Sequence, residues 1–265
     1  MIENCDELID VVTRHGYIWA CPLDGESRQV GRVTKDGVAW VAKKVNWEED
    51  GRSVAFSQEC AKRHLAPSCS VLDDDVLLME DLGDIVAADE VEHSPVKAKA
   101  VGAFFRNLHQ LNLSLPLPPL EEGLRRQQEM WVDGSPSLPS HLRKKSRELL
   151  EELVSFPDNS TLHGDAHAWN LMFSADHVWL IDPAGVVGPP SFEVAYFAAS
   201  IDNPLEVLAS VQEGYGAPLP RLGRWLWWCL VYRYAVQAAR GNVFRPEANG
   251  LNLYELLDRA EDIAC

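Results

Sequence analysis

Two stretches of this chain hold residues whose types and spacing could do chemistry. They are Leu162-His163-Gly164-Asp165-Ala166-His167-Ala168-Trp169-Asn170 and Val178-Trp179-Leu180-Ile181-Asp182-Pro183. Phosphoryl transfer asks for three placed groups. One carboxylate must orient an acceptor hydroxyl and receive its proton. An amide oxygen and a second carboxylate must hold magnesium against the phosphates. Asp165 and Asn170 have the Asp-x-x-x-x-Asn spacing of such a loop, and Asp182 closes the next apolar strand. Asp165 is therefore the candidate catalytic residue, with Asn170 and Asp182 as candidate metal ligands. A rival reading takes His163-x-Asp165-x-His167 as a zinc-hydrolase site. It leaves Asn170 and Asp182 idle, and the other histidines lie in no recognisable motif. Zinc content of the purified protein separates the two.

These groups need elements to hold them. The first third reads as strands at Tyr17–Cys21, Gln29–Val33 and Val38–Val45, the last two joined by an Asp36-Gly37 turn. A helix is expected from Arg52 to Leu65, capped by Asp50 and stopped by Pro67. Val76–Glu80 is a continuous apolar run suited to an inner strand. Beyond Gly83 helical periodicity takes over, at Lys97–Leu111 and His141–Val154 and again from Ser191 to about Ile263. Short strands at Thr161–Leu162 and Val178–Ile181 interrupt it. The most apolar stretch, Leu222–Ala239, carries Arg224 and Arg233 and reads as a buried helix. Its Trp225, Trp227, Trp228 and Tyr232 read as core packing rather than a substrate box.

The composition bounds the partners. At 265 residues and 46% apolar, the chain can bury a sizeable core. A formal net charge of −16 argues against nucleic acid, whose phosphates need Lys and Arg. It suits solubility, or a cationic small molecule gathered by an acidic cleft. The six cysteines form no C-x-x-C pair, and Met1–Glu7 is acidic where a signal peptide would be basic. A reduced, cytoplasmic setting away from membranes is expected.

The segment from Leu162 to Asn170 resembles the signature of the aminoglycoside phosphotransferase and choline kinase superfamily. The run Ile181-Asp182-Pro183-Ala184-Gly185-Val186-Val187-Gly188-Pro189-Pro190, with Phe192-Glu193-Val194-Ala195, is similar to the streptomycin kinase and hydroxyurea kinase family. Ala166 and Pro189 depart from the residues common there. The resemblance implies a bilobal, protein-kinase-like α+β fold. Residues 1–82 would form a small antiparallel-sheet lobe that clamps ATP or GTP. Residues 83–265 would form a mainly helical lobe with the catalytic loop, the magnesium site and the acceptor-binding helices. It also implies a lysine on the third strand that reaches the phosphates, and a Glu on the next helix that pairs with it. Strand alternation couples Ala42 to Lys44 and turns Lys43 to solvent, so Lys44 is preferred. Glu59 is favoured as its partner over Glu49. Ser27 lies in the loop that would cover the phosphates, and Met79, Glu80 and Leu82 belong to the expected hinge against the adenine edge. Glu193 and His167 are the candidate acceptor contacts. Streptomycin-like aminocyclitols, hydroxyurea-like molecules, sugars and amino alcohols all stay open as acceptors. So does a catalytically silent kinase-fold protein that only binds its ligand.

Overall fold

The computed structural model describes residues 6–23, 29–83, 86–87, 91, 94–156, 160–174, 177–241 and 252–263. The chain divides into two compact units, one of residues 1–85 with 179–183, the other of residues 86–178 with 184–265.

The first unit is built on a five-stranded antiparallel sheet. Helix α1 (Asp6–Arg14) precedes strands β1 (Ile18–Pro22), β2 (Val30–Lys35) and β3 (Val38–Lys44). Helix α2 (Trp47–Ala61) leads to β4 (Cys69–Asp73) and β5 (Val76–Glu80), and the sheet order is β1-β2-β3-β5-β4. Asp36 and Gly37 turn β2 into β3 with φ of 52° and 79°, the left-handed pair that matches strand twist in a two-residue hairpin. Helix α2 begins five residues before the expected Arg52. Its cap is Asn46, whose side chain accepts from the Glu48 N–H, and the expected cap Asp50 lies within the helix. Sequence reading missed α1 because its apolar stripe is short, with Leu8 and Val12 its buried residues.

The two faces of the sheet are covered differently, and alternation along β3 and β5 follows from that. Ala42, Val76 and Leu78 pack with Leu8 and Val12 of α1. Val45 and Leu77 pack with Val54 of α2. Lys43 lies opposite Leu77 in the ladder and so shares its face, while Lys44 lies opposite Val76.

The second unit is mainly helical. After the short strand β6 (Val86–Ala87) come helices α3 (Pro95–His109), α4 (Leu120–Gln127) and α5 (Ser140–Val154). Ser94 caps α3 by accepting from the Lys97 N–H, with Pro95 in the first turn. Strands β7 (Ser160–Leu162) and β8 (Leu171–Ser174) bracket residues 163–170, and β9 (His177–Leu180) carries the chain towards Asp182. Strand β10 (Val186–Gly188) then pairs antiparallel with β7, and helices α6 (Pro190–Ala198), α7 (Pro204–Tyr215), α8 (Leu222–Ala239) and α9 (Leu253–Glu261) follow. Helix α8 is buried almost all round, with Trp225, Trp227 and Trp228 in the core as expected. No helix among the described residues is long and apolar enough to cross a membrane.

Candidate active site

In the second unit the loop after β7 is fixed at nearly every residue. His163 is buried, and its Nδ1 accepts from the Asp165 N–H at 3.2 Å. Its carbonyl accepts from the Gly185 N–H at 2.9 Å, extending the β7–β10 ladder. Gly164 has φ +83°, and a Cβ there would stand 2.7 Å from Val186 Cγ2, so only glycine fits. His167 caps the short 3₁₀ turn 168–170, its Nδ1 accepting from the Trp169 N–H. Asn170 turns its Nδ2 back to the Asp165 carbonyl at 2.9 Å and lies 3.3 Å from Asp165 Oδ2. Both bonds are donated by the amide nitrogen, and neither occupies the lone pairs of the amide oxygen. Asp165 keeps a side chain 46% exposed.

Helix α6 holds this loop from behind. Glu193 Oε1 accepts from the Gly164 N–H at 2.8 Å. The Tyr196 hydroxyl donates to Asp165 Oδ1 at 2.9 Å. Ser200, just past the helix, accepts from the Ala168 N–H at 2.9 Å while donating to the Phe197 carbonyl. Spacings of three and four residues put these groups along one stripe of the helix. The other Glu193 oxygen meets His109 Nε2 at 2.8 Å, and His109 Nδ1 lies 3.2 Å from the Tyr215 hydroxyl. Burial would raise the Glu193 carboxyl. The hydrogen bond and charge of His109, with His163 and the Gly164 N–H, outweigh it and hold the group below its ordinary value. Burial, and next the charge of Asp165, push the Tyr196 phenol well up and that of Tyr232 up to about 12.

This placement corrects one expectation. Glu193 is 0% exposed and both its oxygens are engaged, so it anchors the loop and does not face an acceptor. Its carboxylate meets the buried His109 ring and the part-buried Gly164 N–H, which a solvent-facing contact would not need. His167 lies in the loop with Nε2 3.9 Å from Asp165 Oδ2.

In the first unit a pocket opens on the α2 face of the sheet, lined among others by Lys43, Asp50, Leu77, Met79, Ile181 and Asp182. Lys43 Nζ pairs with Asp182 Oδ1. Asp182 has φ 51°, a left-handed conformation that Asp tolerates better than most residues, and its side chain is 52% exposed. Lys44 lies on the opposite face and pairs with Glu7 of α1 and, at 3.7 Å, with Asp75. The expected alternation of Ala42 with Lys44 holds, but Lys43 lies in the pocket instead of facing solvent. Helix α1 covers the Ala42 face, so Val41 rather than Ala42 shares the pocket face with the lysine. Glu59 engages Lys62 and Arg63 of its own helix and its C-terminal turn. The acidic residue of α2 that shares the pocket with Lys43 is Asp50, whose Oδ2 also accepts from the Asn46 N–H. Met79 lines the pocket. Glu80 accepts from the Ser68 N–H, Asp81 pairs with Arg32, and Leu82 is half-buried. Ser27 lies outside the described residues. No group of three or more His, Cys, Asp or Glu able to hold a metal stands together among the described residues.

The profile of the phosphotransferase enzyme family matches residues 20–226. The chain belongs to this family. Solved structures agree on a kinase-like α+β fold. The choline kinase LicA from Streptococcus pneumoniae superposes with a TM-score of 0.70 at 11% identity, over 97% of each chain. LicA in complex with AMP gives 0.65 at 13% identity, over 97% of this chain and 95% of that one. The aminoglycoside phosphotransferase APH(3'')-Id from Streptomyces rimosus gives 0.59 at 20% identity, over 88% of this chain and 98% of that one. A search of curated proteins finds no match.

Proposed function

We propose that the protein is a magnesium-dependent small-molecule kinase that moves the γ-phosphoryl group of ATP or GTP to an acceptor hydroxyl. The observation that carries this is Asp165, a carboxylate fixed through its loop yet 46% exposed, on a chain of the phosphotransferase family. The acceptor O–H proton passes to Asp165 as its oxygen bonds to the γ-phosphorus. The bond from that phosphorus to the β–γ bridging oxygen breaks, and the nucleoside diphosphate leaves. Lys43, in place of the expected Lys44, serves the phosphates, and Val45, Leu77 and Met79 offer an apolar wall for the base. The AMP complex of LicA supports nucleotide use on this fold.

Each donor, taken in its own unit, is of a kind that suits magnesium. Asp182 is half-exposed, and the Asn170 amide oxygen is unused by the bonds of Nδ2. Few, hard oxygen donors suit an ion that keeps its waters and takes phosphate oxygens. Asn170 and Asp182 would hold it, and when bound it neutralises charge on the phosphates. The acceptor is read as cationic and aminoglycoside-like or an amino alcohol. The net charge of −16 supports this, as do neighbours named for choline and aminoglycosides.

The test is a nucleotide-consumption screen with magnesium across aminoglycosides, sugars and amino alcohols, run beside Asp165→Asn. One acceptor class is expected to drive turnover. The variant should lose roughly 100-fold or more of kcat while calorimetry finds its magnesium–ATP affinity nearly intact. Near-normal turnover in Asp165→Asn overturns the assignment. Binding of magnesium–ATP with no acceptor turned over would favour the silent, ligand-binding reading.

A further inference from the structure

Glu193 and Ser200 hold backbone N–H groups of the catalytic loop, but Tyr196 holds the reacting carboxylate itself. We infer that Tyr196 is a positioning residue for phosphoryl transfer, fixing Asp165 Oδ1 so that Oδ2 is the oxygen offered to the acceptor hydroxyl. The inference rests on the proposed role of Asp165. The carboxylate torsion of an aspartate is a broad, roughly two-fold rotor, so without a partner its oxygens exchange places. Here the two oxygens are unequal. Oδ1 takes a 2.9 Å bond from a phenol, whereas Oδ2 has Asn170 Nδ2 at 3.3 Å and His167 Nε2 at 3.9 Å.

The phenol is itself held still. Tyr196 is 4% exposed, and its ring stacks on Phe192 at 5.4 Å and leans on Tyr232 at 6.2 Å. The Arg233 guanidinium lies 6.0 Å from the ring centroid. A donor on a locked ring presents its hydroxyl at one place, the preorganisation that makes a nearby base effective. Tyr196 also stays a donor at working pH, because burial first, and the Asp165 charge next, oppose loss of its proton. The charged and titratable groups facing this pair are His167 of the loop and Tyr232 and Arg233 of α8.

Tyr196→Phe removes the hydroxyl and keeps the ring and its stacking. With magnesium–ATP, and water as the acceptor for basal hydrolysis, kcat should fall roughly tenfold to a hundredfold, the size of one hydrogen bond to a charged group. The KM for ATP and the Tm should hardly move. Tyr196→Leu, which loses the stacking, should lower Tm as well. In protein carrying ¹³C at the tyrosine Cζ, the signal that Tyr196→Phe deletes should shift in Asp165→Asn. Full kcat in Tyr196→Phe, or a Tyr196 signal indifferent to Asp165→Asn, overturns the inference. If Asp165→Asn itself keeps its hydrolysis rate, the catalytic reading fails. If Asp165→Asn is inactive while Tyr196→Phe is normal, the positioning role alone fails.

Discussion

Two adjacent lysines of β3 have opposite surroundings. Lys43 is nearly buried and pairs with Asp182 in a pocket, whereas Lys44 pairs with Glu7 on the other face of the sheet. The hydrogen bond to Glu7 leads the factors that raise the Lys44 pKa, an exposed effect that ties α1 to the sheet. On the proposed role of Lys43, Lys43→Ala removes a charge-assisted contact to phosphate and should raise the nucleotide KM roughly tenfold or more. Lys44→Ala should be nearly silent in the same assay. Initial rates against ATP concentration check both, and the reverse result would return the nucleotide to the Ala42 face. At this scale the order of residue types in the motif, Asp165, Asn170 and Asp182, was legible. The surroundings of the two lysines were not legible, and Lys43 is buried where solvent was expected, because which face is open depends on where a separate helix lies. Nothing in Val41-Ala42-Lys43-Lys44-Val45 says where α1 will lie.

The element that matters most for the loop is α6. Its run Pro190–Ala199 is apolar except for Ser191, Glu193 and Tyr196, and Ser200 follows it. Polar groups recurring at helical spacing in an otherwise buried helix are a readable sign of a second structure to be held. Glu193 was instead assigned to an acceptor, on the excess of acidic residues and the family resemblance, although a charge at a helix start also suits the dipole. Its burial sets a clear expectation. Glu193→Leu leaves His109 and the Gly164 N–H buried without their acceptor and should cost about 3 kcal/mol or more in urea unfolding. Glu193→Gln should cost less. The carboxyl lies below its ordinary value of 4.5 in the folded protein. Its stabilisation is therefore complete above that pH and lost as pH falls through the lower folded value. Stability measured from pH 6 downward should fall less steeply in Glu193→Gln than in the natural protein. Equal acid slopes would mean that His109 and the loop are held by other means.

For the molecule as a whole, 40 acidic against 24 basic residues leave a field that should draw cations. Such attraction is screened over about 8 Å at physiological ionic strength, so the KM of a cationic acceptor should climb with added salt. That of a neutral acceptor should stay flat, and a flat response from a cationic one would detach acceptor choice from net charge. The division of the chain carries a further consequence. The first unit takes in residues 179–183, and the Leu180 N–H donates to the Leu65 carbonyl at 2.9 Å. The partner of Lys43 is supplied by this late segment. A nascent chain emerging at roughly 5–20 residues per second therefore holds an incomplete first unit for several seconds after residue 85. During that interval the apolar lining around Leu77 and Met79 lacks its neighbours Leu180 and Ile181. Ribosome-bound chains arrested before Trp179 should accordingly be cut by protease within residues 1–85 more readily than chains arrested well past Pro183.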